Sequence, residues 1–250
     1  MTGALWFLGA PGVWAAYTWG AHLVGLGGIR RGSSSGRMAA LTFDDGPDPE
    51  HTPRVLDILE REGVLATFFL VGRKATANSG IARRMAGDGH DLGNHTWSHR
   101  SLWLCGPQQT EREIVRGHEA IAEAAGRAPS FFRAPWGMAN LATFPVLRRL
   151  GTPCIRWTVQ PEGRRAVDPE VQSERAARRV RPGAILDLHD SDGVAGAGGR
   201  LTRALPMLIG ALRDAGYTLA PLRDLLYTPA TADGDVRRSG SVRSTRPGGE

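Results

Sequence analysis

Lysine is almost missing from this chain of 250 residues: Lys74 stands alone, and the basic count is nearly all arginine. That bias reads as a coding preference rather than a functional signal. Cysteine is scarce too. Cys105 and Cys154 lie far apart and in no CxxC pattern, which excludes a thiolate zinc site and a disulfide framework. Both read as free thiols, with one long-range bridge left open. No internal repeat is visible. Acidic residues are absent from residues 1–37, which carry three arginines, and residues 229–250 carry four arginines against three acids. Of the chain's formal +6, only +2 is left between them. A body so nearly neutral has no electrostatic footprint for a polyanion, so nucleic acid is not an expected partner.

Charge is also missing from Ala4 to Ile29, a run rich in Leu, Trp, Val, Ala and Gly that ends on Arg30-Arg31. Its length suffices to cross a bilayer, which takes about 20 apolar residues. It lacks a basic start and a small-residue cleavage site, so a cleaved signal peptide does not fit. The expectation is a membrane anchor, the alternative an apolar extension packed on the domain. Arg30-Arg31 would by the positive-inside rule keep the domain in the cytoplasm, whereas an envelope substrate requires the outer side. Arg30 to Arg37, with Gly and Ser between, has the composition of a linker. The chain therefore divides into an apolar segment and linker (1–37), a domain (38–228) and a tail (229–250) whose composition predicts disorder.

What is present is an alternating pattern. Strand-like apolar runs occur at 38–43, 64–71, 90–94, 130–134, 153–159, 184–189 and 217–220. Between most of them, apolar residues recur at helical spacing, as at Val55, Ile58 and Leu59, at Ile114, His118 and Ile121, and at Leu205, Leu208, Ile209 and Leu212. Strands alternating with helices predict a parallel α/β architecture. Seven strand candidates suggest a barrel-like sheet whose chemistry sits at the carboxyl ends of the strands. Asp44 and Asp45 end the first run, His95 follows the third, Arg133 ends the fourth and His189 the sixth. His95 and His99, four residues apart, are placed on one face of a helical turn, where two imidazoles can share one metal ion and a carboxylate can complete the set. Alone, each motif is weak, since Asp-Asp-Gly-Pro is most often a turn and most helical histidines are not ligands.

Taken in succession, Thr42-Phe43-Asp44-Asp45-Gly46-Pro47, His95-Thr96-Trp97-Ser98-His99, Arg133-Ala134-Pro135-Trp136-Gly137 and Leu188-His189-Asp190 resemble the motif set of the polysaccharide deacetylase family, whose shared unit is the NodB homology domain. The resemblance covers about residues 38–228. It implies a distorted (β/α)7 barrel and a metal-dependent hydrolase that removes N- or O-acetyl groups from a glycan, with the cell envelope as its setting. It further implies Asp45, His95 and His99 as ligands of a divalent metal, usually zinc. Asp44 would be the general base, His189 the general acid, and Arg133 the residue that orients the base. Pro135, Trp136 and Trp157 are candidate walls for the sugar or acetyl group, although a tryptophan at 157 serves a core equally well.

Three positions depart from the family. The Asp-Trp pair expected after the Trp-x-Val strand is replaced by Gln160-Pro161-Glu162-Gly163-Arg164. Asp187 stands where an apolar residue usually lines the acetyl-methyl pocket, and Ala134 where a proline is common. Asp187 and His189 are i and i+2 on a strand and point to one face, so Asp187, or else Glu162, is expected to supply the carboxylate partner of His189. The altered pocket leaves two alternatives open: hydrolysis of a non-glycan amide on the same fold, and a non-catalytic glycan-binding protein.

Overall fold

The computed structural model describes residues 12–20, 28–33, 36–161, 168–191 and 197–227. Strand β1 (Met38–Asp44) is its axis. On one edge it pairs in parallel with β5 (Ala184–His189), from Ala39 opposite Ala184 to Asp44 opposite His189. On the other edge its upper half meets β2 (Thr67–Leu70) and its first residues meet β6 (Thr218–Leu219). The sheet continues through β3 (Asp91–Asn94) to β4 (Phe131–Phe132), all parallel.

The side-chain period of two assigns the faces. Ala39, Leu41, Phe43, Phe68, Leu70, Leu92, Ala184, Leu186 and Leu188 point outward into the main core. There they meet Val55, Leu56, Ile58 and Leu59 of α2 (His51–Arg61), Ala82 and Met85 of α4 (Ser79–Gly87), and Leu201, Leu205, Leu208, Ile209 and Leu212 of α8 (Ala197–Asp214). The alternate residues face the barrel interior. At its lower end Ala40, Phe69, Phe131, Ile155 and Ile185 pack with Leu222 and Leu225 of α9 (Leu222–Tyr227), which plugs the bottom. Higher up, the same inward rows carry Thr42 and Asp44 on β1 and Asp187 and His189 on β5. A second polar group, Thr67 with Asp91, meets α9 at the bottom, where Thr67 Oγ1 accepts from Leu222 N–H and Asp91 Oδ2 from Arg223 N–H.

The run at 153–159, expected as a full strand, makes only single bridges: Cys154 with Phe132, Ile155 with Ile29, and Val159 with Leu186. Pro153 can donate nothing to a ladder, and a bend at Thr158 interrupts the run. The gap this leaves is filled from the N-terminal side. Ile29 N–H donates to the Cys154 carbonyl, Arg156 N–H to Ile29, Gly32 N–H to Gly183 and Ser33 N–H to Leu225. Residues 30–33, with the composition of a linker, are thus part of the barrel wall, since composition does not report backbone pairing.

Of the apolar run 4–29, residues 12–20 and 28–29 are described. Residues 12–20 form α1, which lies on the domain: Tyr17 donates to the Cys105 carbonyl at 3.2 Å, Leu141 N–H to Tyr17 at 3.1 Å, and Trp19 packs on Trp103 with ring centroids 5.1 Å apart. Among the described residues no helix is long and apolar enough to cross a membrane. The rest of that run, Glu162 and the tail from 228 lie outside the described residues. Cys105 and Cys154 are buried free thiols, and burial pushes the Cys154 thiol up to about 11.

Candidate active site

Three loops at the carboxyl ends of the strands bring the chemistry together. Asp45 follows β1 with φ of 72°. His95 follows β3, its N–H donating to Leu70. The segment from His95 to His99 is not a helical turn. Thr96 and His99 take φ of 67° and 59°, and short polar side chains hold the loop open: Asn94 Oδ1 accepts from Thr96 N–H at 2.9 Å, and Thr96 Oγ1 from His99 N–H at 3.1 Å. Such side chains compete with helical backbone bonds. Glu113 of α5 (Pro107–Ala125) accepts from Ser98 at both its N–H and its hydroxyl, fixing the loop from beneath. Gly117, one helical turn on, admits this approach, because a Cβ there would stand 2.5 Å from Asn94 Oδ1 and 2.7 Å from the Thr96 carbonyl carbon.

The fold so made brings the two imidazoles onto one carboxylate. Asp45 Oδ1 lies 2.9 Å from His99 Nε2 and 3.4 Å from His95 Nε2, and ligand atoms of the three residues all fall within 4.8 Å of one another. His95 Nδ1 donates to the Arg133 carbonyl at 2.8 Å, which leaves the Nε2 electron pair facing the cluster, the usual outer support of a ligating histidine. Burial favours the neutral Asp45 carboxyl. The hydrogen bonds and charges of His95 and His99 overcome it and hold the group well below the usual carboxylate range. Burial lowers His95 as well, and the Asp44 charge with the Asp45 hydrogen bond outweighs it and raises the imidazole. Two neutral imidazole nitrogens and one carboxylate in a buried cluster fit a divalent cation.

Asp44 stands beside this set, with Oδ2 3.7 Å from His95 Nε2 and Oδ1 held by Arg133 Nη1 at 2.7 Å. Arg133 has no exposed surface. Its Nη1 also lies 2.8 Å from Thr42 Oγ1 and 3.1 Å from Asp187 Oδ1, and the guanidinium covers the Phe69 ring at 4.1 Å. Asp187, which lines the same cleft as His189, is thereby tied to Arg133 as well. Asp44, Asp45, His95, His99, Trp136, Trp157, Gln160, Asp187 and His189 line one cleft of about 160 Å³. Trp136 is 58% exposed, its indole 4.5 Å from the His99 ring, while Pro135 is buried beneath and does not reach the lining. The sequence does not single out Gln160, Thr42 or Lys74 as site residues. Thr42 has a usable signal, as the inward neighbour of Asp44 at i−2; Gln160 and Lys74 carry no local signal.

A β/α barrel that holds two histidines and an aspartate in one cluster at its strand ends, with a second carboxylate alongside, is built as a metal-dependent hydrolase. The polysaccharide deacetylase model matches residues 31–155. A chitooligosaccharide deacetylase of Bradyrhizobium sp. (strain ANU 289) is 38% identical over 218 residues, 82% of this chain and 99% of the relative. The peptidoglycan-N-acetylglucosamine deacetylase PgdA of Listeria monocytogenes is 30% identical over 193 residues, 77% of this chain and 40% of the relative. This chain belongs to the polysaccharide deacetylase family. Among solved structures, a peptidoglycan N-acetylglucosamine deacetylase bound to an N-oxidanyl-benzamide superposes with a TM-score of 0.75 at 30% identity, covering 81% of this chain and 94% of that one. A wild-type CE4 family pseudoenzyme from Bacillus anthracis reaches 0.72 at 26% identity, covering 79% and 68%. The backbone alone therefore does not separate a catalyst from a pseudoenzyme.

Proposed function

We propose that this chain removes acetyl groups from N-acetylglucosamine units of a cell-envelope or chitin-type glycan, with zinc as its cation. The observation that carries the reading is the division of labour between adjacent aspartates: Asp45 faces the two imidazoles, and Asp44 faces the same space while anchored to Arg133. A divalent ion held by Asp45, His95 and His99 keeps net positive charge, which acidifies water and polarises the acetyl carbonyl. Zinc is favoured because imidazole and carboxylate are its ordinary donors. Asp44 takes the proton of the attacking water. Arg133 holds that carboxylate in place through a charge-assisted bond. His189, on the β5 wall of the cleft, hands a proton to the departing amine nitrogen. Asp187 shares Arg133 with Asp44 and lies on the His189 face of β5, so it orients both walls. Trp136 offers an exposed indole face for a pyranose ring, and Trp157 with Gln160 lines the acyl side. The named relatives act on chitooligosaccharides and peptidoglycan, which supports an envelope or extracellular setting.

Acetate release from acetylated chitooligosaccharides and peptidoglycan tests this, with wild type and Asp44→Asn compared at saturating zinc. The expected result is a loss of about 10²- to 10⁴-fold in kcat for Asp44→Asn with zinc binding retained. Equal release by both proteins would overturn the assignment of Asp44, and no release by wild type would overturn the reaction.

A further inference from the structure

The β1–β5 ladder ends at Asp44 opposite His189. One residue further, Asp45 and the turn through Asp190 and Ser191 leave the sheet, and no ladder bond holds one against the other. Side chains from two helices hold them instead. Lys74, in α3 (Gly72–Ala77) after β2, donates from Nζ to the Asp45 carbonyl at 2.8 Å and to Ser191 Oγ at 2.6 Å. From α2, Thr52 Oγ1 donates to the buried Asp190 carboxylate at 2.5 Å. That carboxylate packs flush on Gly46, where a Cβ would stand 2.5 Å from either oxygen. Asp45 meanwhile holds a positive φ, which a non-glycine residue keeps only where its surroundings enforce it.

None of these bonds reaches the Asp45 carboxylate or the imidazoles. They act on the backbone that aims them. We infer that Lys74 is a positioning residue: its ammonium ties the Asp45 backbone to the Ser191 turn, presets the Asp45 carboxylate towards His95 and His99, and so raises the affinity of the cluster for a divalent cation. The inference rests on the reading of Asp45 as a ligand. An ammonium suits the task, because it brings several donors on a flexible stem to a carbonyl and a hydroxyl that can only gain from a cation. The chain's one lysine stands where the loops after β1, β2 and β5 converge.

Zinc chloride titrated calorimetrically into the metal-stripped protein, below the thermal transition of each variant, tests it. Lys74→Met keeps the stem and removes the donors; it is expected to weaken zinc binding by about 10- to 100-fold, as lost outer support of a ligand does. Lys74→Arg, which keeps a cationic donor, is expected to fall between Lys74→Met and wild type. Ser191→Ala is expected to weaken binding less, and to add little in the Lys74→Met background, since both remove one contact. Unchanged zinc affinity in Lys74→Met, even with a lowered Tm, overturns the inference, as does full additivity of the two substitutions. Should Lys74→Met not fold, unchanged affinity in Ser191→Ala overturns it instead. A wild type that takes up no zinc defeats the metal reading itself, which the Asp45→Ala control separates from failure of the clamp alone.

Discussion

Arg133 joins the two halves of the site by a charge that has left water entirely. Burying a guanidinium is costly unless it is paired and hydrogen-bonded, and here Asp44, Asp187, Thr42 and the Phe69 ring supply the compensation. Away from the site, His90 shows the opposite electrostatics. Its Nδ1 accepts the Ala66 N–H at 3.1 Å, so the ring must be neutral to make that bond. Burial, with Arg223, Arg84 and Arg127 nearby, pushes it down to about 4 against the pull of Asp88. Between pH 6.5 and 4 the unfolded chain binds a proton that the native ring refuses, so this contribution is complete above pH 6.5 and lost as pH falls through 4. Urea unfolding at pH 7 and pH 4 should show wild type losing roughly 2–3 kcal/mol more than His90→Gln, because every pH unit by which native protonation lags behind that of the unfolded chain is worth about 1.4 kcal/mol. Parallel losses would remove His90 as the cause.

At the scale of elements, the β3–α5 unit does for the imidazoles what a helical turn was expected to do. The His95 and His99 spacing identifies the pair, but the loop conformation comes from Asn94, Thr96 and Ser98 acting with Glu113 and Gly117 on a helix later in the chain. Nothing local in the sequence announces that helix's approach. Gly117→Ala ought to favour an isolated helix by about 1 kcal/mol. In the folded protein the added Cβ meets Asn94 Oδ1 and the Thr96–Trp97 backbone at 2.5 to 2.9 Å, and backbone cannot step aside as a flexible side chain would. A net destabilisation of about 1–3 kcal/mol is expected from such overpacking, together with weaker zinc binding as the histidine loop shifts. Urea denaturation and zinc titration check both; a more stable variant with unchanged zinc affinity would contradict the packing argument.

Across the whole molecule, the site consists of the polar upper layer of a barrel whose lower end is closed by α9, through the apolar contacts of Leu222 and Leu225 and hydrogen bonds to Thr67 and Asp91. Because the proposed ligands Asp45, His95 and His99 come from two loops far apart in sequence, a cation bound there would stabilise the native fold and find no comparable site in the unfolded chain. Zinc at about 100 times its Kd should add about 2.7 kcal/mol, raising Tm by roughly 5–10 °C for a domain of this size, and Asp45→Ala should abolish the rise. Calorimetric scans with and without zinc read this directly. Most of the alternation of strands and helices and the shared face of Asp187 and His189 were legible in the sequence, because strand and helix periods are properties of neighbouring residues, and the motif resemblance grouped Asp45, His95 and His99 as one candidate metal set. The loop form of His95 to His99, the entry of residues 28–33 into the wall, the sharing of Arg133 by two aspartates and the reach of Lys74 to Ser191 were decided only by the tertiary structure. Each depends on which distant elements pack together, and that is set by the sum of all the burial in the barrel rather than by any stretch of chain.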